Sequence, residues 1–297
     1  MKKRVVSLLL CGCLAASMTA GCGASSNEEV VTNTDAEDAA EDAAEEAEDP
    51  AETEEAADTS EAASDMEYVL EKGTLIVGIT NFEPMDYMDE TGEWIGFDAD
   101  LANAFAESLG IKAEFVEINW DNKVLELDSN GIDCVWNGMT LTDEVTSSME
   151  CTDAYLQNAQ VVVVPSDVAD QYQDIDSLSD LSFAVEAGSA GEEEVSALGL
   201  NYTPVTAQSD ALMEVAAGTS DAAVIDLLMA AAMIGEGTSY ADLTYTVSLN
   251  SEEYGVGFRQ GSDLAGELNN FFAQCYEDGT IQACAEKYGV QAALIEQ

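Results

Sequence analysis

No histidine occurs among the 297 residues. That removes serine–histidine and cysteine–histidine nucleophile systems and the commonest zinc ligand. Neither a metal nor a cofactor is expected. Basic residues are scarce as well: eight Lys and Arg stand against 60 Asp and Glu, a formal net charge of −52. Three of the eight, Lys2, Lys3 and Arg4, sit at the very start; the rest are Lys72, Lys112, Lys123, Arg259 and Lys287. Phosphate-rich partners need clustered Lys and Arg, so the composition argues against nucleic acid and anionic lipid surfaces. No Cys-x-x-Cys pair occurs, and beyond the N-terminus no apolar run is long enough to cross a membrane.

What is present begins with a basic start, an apolar run from Val5 to Leu14 and a small-residue zone ending at Gly21-Cys22. These are the parts of a secretory signal, too short to span a bilayer as a permanent helix. Thr19-Ala20-Gly21-Cys22 is similar to a bacterial lipobox, which makes Cys22 a lipidation site and the mature N-terminus. Thr19 departs from the leucine usual there, and an ordinary cleaved signal with a chance cysteine is the other reading. From about residue 24 to residue 65 the chain is nearly all Ala, Glu, Asp, Thr and Ser. High like charge and low hydrophobicity do not offset ordering entropy, so this stretch reads as a solvated tether. The remainder is long enough for one two-lobed globule with its own core.

Within the globule, Leu75-Ile76-Val77-Gly78-Ile79 reads as a buried strand. Leu101, Phe105 and Leu109 recur at helical spacing, and Gly110 ends that helix. A strand over 113–116, a helix marked by Val124, Leu125 and Leu127, and a strand over 132–136 follow. This alternation predicts mostly parallel sheets flanked by helices. Residues 123–133 and 213–221 repeat one phrase (amphipathic helix, Gly, Asp turn, apolar strand), which suggests two lobes. Cys134 reads as core packing; Cys275 and Cys284, on successive helices, are open to either a disulfide or buried free thiols. Apolar runs over 160–165 and 254–258 are either the hinge between lobes or ordinary buried strands.

Trp136-Asn137-Gly138-Met139-Thr140-Leu141-Thr142-Asp143-Glu144 strongly resembles the signature of amino-acid-binding proteins of ABC importers, the extracellular solute-binding proteins of family 3. Gly96-Phe97-Asp98-Ala99-Asp100-Leu101, Gly188-Ser189 and Asp221-Ala222-Ala223-Val224-Ile225-Asp226 extend the likeness over residues 75–289. The resemblance implies a type II periplasmic-binding-protein-like α/β fold of two lobes joined by a two-strand hinge. The expected divisions are signal 1–21, acidic tether 22–66, first part of lobe 1 at 67–159, lobe 2 at 160–252, and a return to lobe 1 at 253–297. It further implies that Phe82 and Trp120 sandwich the ligand's side chain. Asn137 and Gly138 offer carbonyls to its ammonium, Thr140 offers its hydroxyl and N–H, and Asp226 pairs with the same ammonium. Ser189 and Ala190, at a helix start, offer N–H groups to a carboxylate. Asp98 is expected to cap the helix that it opens.

One departure stands out. Where the family usually carries an arginine that clamps the ligand's carboxylate, this chain has Val145, which makes no charge-assisted contact. No nearby basic residue is expected to replace it, and Arg259 is assigned a surface role. Glu83, at the expected cleft mouth, and Glu186, where relatives vary and sometimes carry lysine, add acids. Buried carboxylates need partners, so the ligand read here is an amino acid or related amine, leaning cationic. The expected role is non-enzymatic: a lipid-anchored monomer on the outer face of the bacterial cytoplasmic membrane delivers its ligand to an ABC permease and ATPase. A secreted dehydratase of the prephenate or arogenate type, or a ligand-sensing surface lipoprotein, are the alternatives.

Overall fold

The structure, a computed structural model, describes residues 64–297. The signal-like segment, Cys22 and the tether up to residue 63 lie outside the described residues. The described residues begin inside the stretch assigned to the tether. The Ser64 hydroxyl accepts the Glu67 N–H at 3.0 Å and opens helix α1 (Asp65–Lys72), which sends Val69 into the core. Ser64-Asp65-Met66-Glu67 has capping-box spacing, a signal that sequence reading passed over.

The chain continues through β1 (Thr74–Ile79), a short hairpin of β2 (Tyr87–Met88) and β3 (Trp94–Ile95), α2 (Phe97–Ser108) and β4 (Lys112–Glu117). Next come α3 (Lys123–Asp128), β5 (Cys134–Thr140), α4 (Asp143–Ser148), β6 (Glu150–Cys151) and β7 (Leu156–Asn158). A second unit holds β8 (Gln160–Pro165), β9 (Ser182–Glu186), α5 (Ala190–Ala197), β10 (Asn201–Val205), α6 (Gln208–Ala217), β11 (Ala222–Asp226), α7 (Leu227–Met233) and β12 (Leu243–Ser248). The return comprises β13 (Glu252–Phe258), α8 (Leu264–Asp278) and α9 (Thr280–Tyr288).

Two main sheets result, ordered β4-β1-β5-β13-β6 with β7 beside β13, and β10-β9-β11-β8-β12. In the first, β1 runs parallel to β4 and β5 while β13 runs against β5. In the second, β9 runs parallel to β10 and β11 while β8 opposes β11 and β12. The opposed strands are those that have just crossed from the other lobe. Gln160, the first residue of β8, pairs with Asp226, the last of β11; Tyr254, near the start of β13, pairs with Thr140, the last of β5. Both sheets therefore aim the C-terminal ends of their parallel strands at the crossing, the edge where α/β sheets gather ligand-binding residues.

The crossing is narrower than the apolar runs suggest. Runs 160–165 and 254–258 are regular sheet strands, and the links are Ala159 and residues 249–251. These links hold each other: the Leu249 N–H donates to Gln160 O at 2.8 Å and the Gln160 N–H to Asn250 Oδ1 at 2.7 Å.

Two expectations are corrected here. Asp98 is not a helix cap: Gly96 occupies that position and no side chain caps the helix. The Asp98 carboxylate is buried and ties α2 to the sheet, accepting the Gly138 N–H at 2.6 Å and the Tyr155 hydroxyl at 2.8 and 2.9 Å. Arg259 is no loose surface cation. It meets Asp65 at 3.1 Å and donates to the Ile132 carbonyl at 2.9 Å, next to Asp133, whose carboxylate also holds Lys72 at 2.5 Å. Cys134 is fully buried core, and Cys134, Cys151, Cys275 and Cys284 are all free thiols.

Candidate functional site

Because the strand ends converge, Thr140, Glu186 and Asp226, the last residues of β5, β9 and β11, line one cavity between the sheets. Its volume is ≈ 320 Å³, at the lower end of the roughly 300–1,000 Å³ typical of small-molecule sites. Phe82, Trp120, Asn137, Gly138, Ser189 and Ala190 line it too, so nine of the ten ligand residues expected from sequence share one space. Glu83 is the exception. It is half-buried outside the lining, and its charge acts on Tyr87.

Each lining group is positioned by its element. Gly138 adopts φ +56°, and a Cβ there would come within 2.7 Å of the Phe82 ring and 3.0 Å of the Tyr254 ring, so only glycine fits. The Asn137 side chain faces away from ligand work, accepting the Thr80 N–H at 3.0 Å and donating to the Thr80 hydroxyl at 2.9 Å. Ser189 caps α5 by accepting the Glu192 N–H, and the Glu192 carboxylate in turn accepts the Gly188 N–H at 2.7 Å. Val145 lines the cavity but belongs to an apolar cluster with Trp120, Met139 and Met149.

The acids are held in different ways. Asp226 Oδ1 accepts from Asn158 at 2.5 Å, Gln160 at 3.0 Å and the Tyr254 hydroxyl at 2.5 Å, while Oδ2 accepts from Gln208. Asn158 and Gln160 donate equally to Glu252 Oε1, at 2.6 and 2.8 Å, so two carboxylates share two amides. Thr140 gives its hydroxyl to the same Glu252 oxygen at 3.0 Å. Burial, then the charge of Glu252, pushes the Asp226 pKa up to about 8. Asp226 begins α7 yet makes no side-chain cap bond, so its carboxylate serves the cavity network rather than the helix. Glu186 is 2% exposed and its Oε1 has no partner among the described residues. Burial, then the charge of Asp226, raises its pKa to about 8 as well.

Sequence reading missed several lining residues. Gln208 accepts the Asp226 N–H at 2.9 Å and donates back to its carboxylate. Nothing at the start of α6 announces that role. Lys123 corrects the expectation that no basic residue lies nearby. It lines the cavity, its ammonium sits 5.1 Å from the Trp120 ring centroid, and it donates to the Gly188 carbonyl of the other lobe at 2.9 Å. Its place three residues after Trp120 on a helical turn was the available signal. With Asp121, Glu144, Glu192 and Glu193 also in the wall, six carboxylates face one ammonium.

The sequence model for the bacterial extracellular solute-binding proteins of family 3 matches residues 75–291. The chain belongs to that family. The L-cystine-binding protein TcyJ of Escherichia coli K12 is 27% identical over 224 residues, covering 74% of this chain and 84% of that protein. Among solved structures, the P235GK mutant of ArgBP from T. maritima aligns with TM-score 0.71 and 30% identity, over 75% of this chain and 98% of that one. The ancestral amino acid-binding protein AncCDT-1, a precursor of cyclohexadienyl dehydratase, aligns with TM-score 0.70 and 30% identity, over 76% and 99%. The two-lobed solute-binding fold of the family is thus the fold of this chain. No helix of the described residues is long and apolar enough to cross a membrane.

Proposed function

We propose that the protein is the substrate-binding component of an ABC importer. On this reading it captures an amino acid or related amine, preferentially a cationic one, between its lobes and delivers it to a membrane permease. The observation that carries the reading is Glu186, a buried carboxylate with an unpaired oxygen in the wall of a cavity. Its ionised form is unfavourable without a partner, so the group holds its proton until an ammonium or guanidinium supplies that partner. Asp226, which lines the cavity and is held only by neutral amides and a hydroxyl, strengthens the same preference. Phe82 and Trp120 offer aromatic faces, which also attract cations.

Capture needs no chemistry. A ligand touching both lobes selects the closed form, and that form is what a permease would engage. Lipidation at Cys22 would keep the protein at the outer membrane face, the tether giving it reach. The expected test result, in a thermal-shift screen of amino acids, polyamines and small peptides, is that arginine, lysine or ornithine raises the melting temperature most. A screen in which acidic amino acids stabilise best contradicts the cationic preference, and one in which nothing stabilises contradicts the binding role.

One observation favours an enzyme of the dehydratase type: Glu186, with its pKa near 8, is protonated enough at neutral pH to act as a general acid. The other acids of the cavity, Asp121, Glu144, Glu192 and Glu193, oppose it, since a dicarboxylate substrate would be repelled. Turnover of prephenate or arogenate is expected to be absent.

A further inference from the structure

Of the five basic residues in the described chain, three are committed to ion pairs: Lys72 with Asp133, Arg259 with Asp65, and Lys287 with Asp100. Lys112 stands exposed on the edge strand β4. Lys123 alone is placed in the wall of the cavity. It is half-buried, and among the described residues no carboxylate comes within the 4.0 Å of an ion pair. An ammonium withdrawn from water without a close anion is an unfavourable arrangement in an isolated protein. Burial accordingly lowers its pKa, even though Glu144, Glu186, Asp121 and Glu193 act in the opposite sense.

Its three donors are only partly used. One goes to Gly188 O at 2.9 Å and a second, at 3.4 Å, to Trp120 O. The Gly188 bond sets the ammonium beside the first residues of α5, where Ser189 and Ala190 line the same cavity. A helix start favours negative charge, and here it lies beside an unpaired cation. Glu144, the largest charge acting on Lys123, directly precedes Val145, and all three line the same cavity.

We infer that Lys123 holds the ligand's carboxylate, together with the Ala190 and Gly191 N–H groups at the start of α5, in place of the arginine that Val145 replaces; the Ser189 N–H, expected to help, is taken by the Glu186 carbonyl at 3.2 Å. The inference rests on the amino-acid-binding role proposed above and adds polarity to it. Carboxylate sits at Lys123 and the opening of α5; ammonium groups sit toward Glu186 and Asp226. The cavity is then bipolar in spite of its net acidity. It admits zwitterions with a cationic side chain and discriminates against amines that lack a carboxylate.

The test compares each of the twenty L-amino acids with its own carboxamide, which keeps the shape but removes the negative charge, by calorimetric titration of wild type and variants. Wild type is expected to bind its preferred amino acid at least about 10-fold tighter than the amide, the scale of one charge-assisted hydrogen bond. Lys123→Met brings the two within about 3-fold of each other, while Lys123→Arg keeps the preference. Adding Val145→Arg to Lys123→Met restores it. Melting temperatures of the ligand-free variants separate misfolding from lost recognition. Equal losses for acid and amide in Lys123→Met would reduce Lys123 to a latch between lobes and overturn the inference, as would an undiminished preference. Wild type that binds amide and acid alike, or only polyamines such as putrescine, refutes the carboxylate anchor but leaves the binding role standing. Wild type that binds none of them removes the binding role itself.

Discussion

Glu186 is an acid folded into a place where its charge is unwelcome until a ligand arrives. Its pKa rises from an ordinary 4.5 to about 8. Between those values the unfolded chain has released the proton and the folded chain still holds it, so the ligand-free fold loses stability as pH rises from about 4.5 to about 8, then levels off. Asp226, raised from 3.8 to about 8, adds in the same direction. The melting temperature of the ligand-free protein is therefore expected to fall across that window, and Glu186→Gln to make the fall shallower. A cationic ligand binds the ionised form, so its affinity is expected to increase by up to about 80-fold from pH 6 to pH 8.5, the change in the ionised fraction of a group with pKa about 8, with proton release visible as buffer-dependent calorimetric heat. Glu186→Gln abolishes most of that increase. The composition showed an excess of acid but not where it collects. Glu83 and Glu186 look alike in sequence, each beside a ligand-type motif, yet the end of a parallel strand points one into the cavity and a loop leaves the other outside. Lys123 was only partly legible: its spacing from Trp120 hinted at the ring contact, but its role depends on a carbonyl 65 residues further along the chain.

At the scale of elements, β5 carries the heaviest demands. It runs beneath α2, and Gly138 must at once leave room for Phe82 and Tyr254, adopt a positive φ and give its N–H to Asp98. Gly138→Ala is expected to destabilise by about 2–4 kcal/mol from overpacking and backbone strain together, measured by urea unfolding. Asp98→Ala strands the Gly138 N–H and the Tyr155 hydroxyl in the core and is expected to cost about 3 kcal/mol in the same assay. The helical spacing of Leu101 and Phe105 and the apolar runs of β1, β8 and β11 made these elements readable. Asp98 was misread because a short acid near a helix start usually caps it locally. Only the sheet, assembled from distant segments, shows that a strand N–H lies closer. The first helix, α1, was overlooked because an acidic, alanine-rich stretch precedes it without a break in composition.

For the molecule as a whole, two lobes meet through few links and many polar contacts. Tyr254 and Asn158 of the first sheet bond to Asp226 of the second, and Lys123 bonds to Gly188. Gly188, at φ +70°, packs so tightly on the other lobe that a Cβ would lie 2.8 Å from the Asp121 Cα. Gly188→Ala is expected to weaken ligand binding about 10-fold or more by holding the lobes apart, with only a small drop in the melting temperature of the ligand-free protein. Small-angle scattering checks this as a lost contraction on adding ligand. That the fold has two lobes was legible from its repeated helix-turn-strand phrase; that both sheets point their strand ends at the same gap was not. The most direct test of an acidic trap for cationic amino acids is a calorimetric titration at pH 8 with L-arginine and with L-citrulline, which has nearly the same shape without the charge. Arginine binding at least about 10-fold tighter is the predicted result. Citrulline binding as well or better contradicts it.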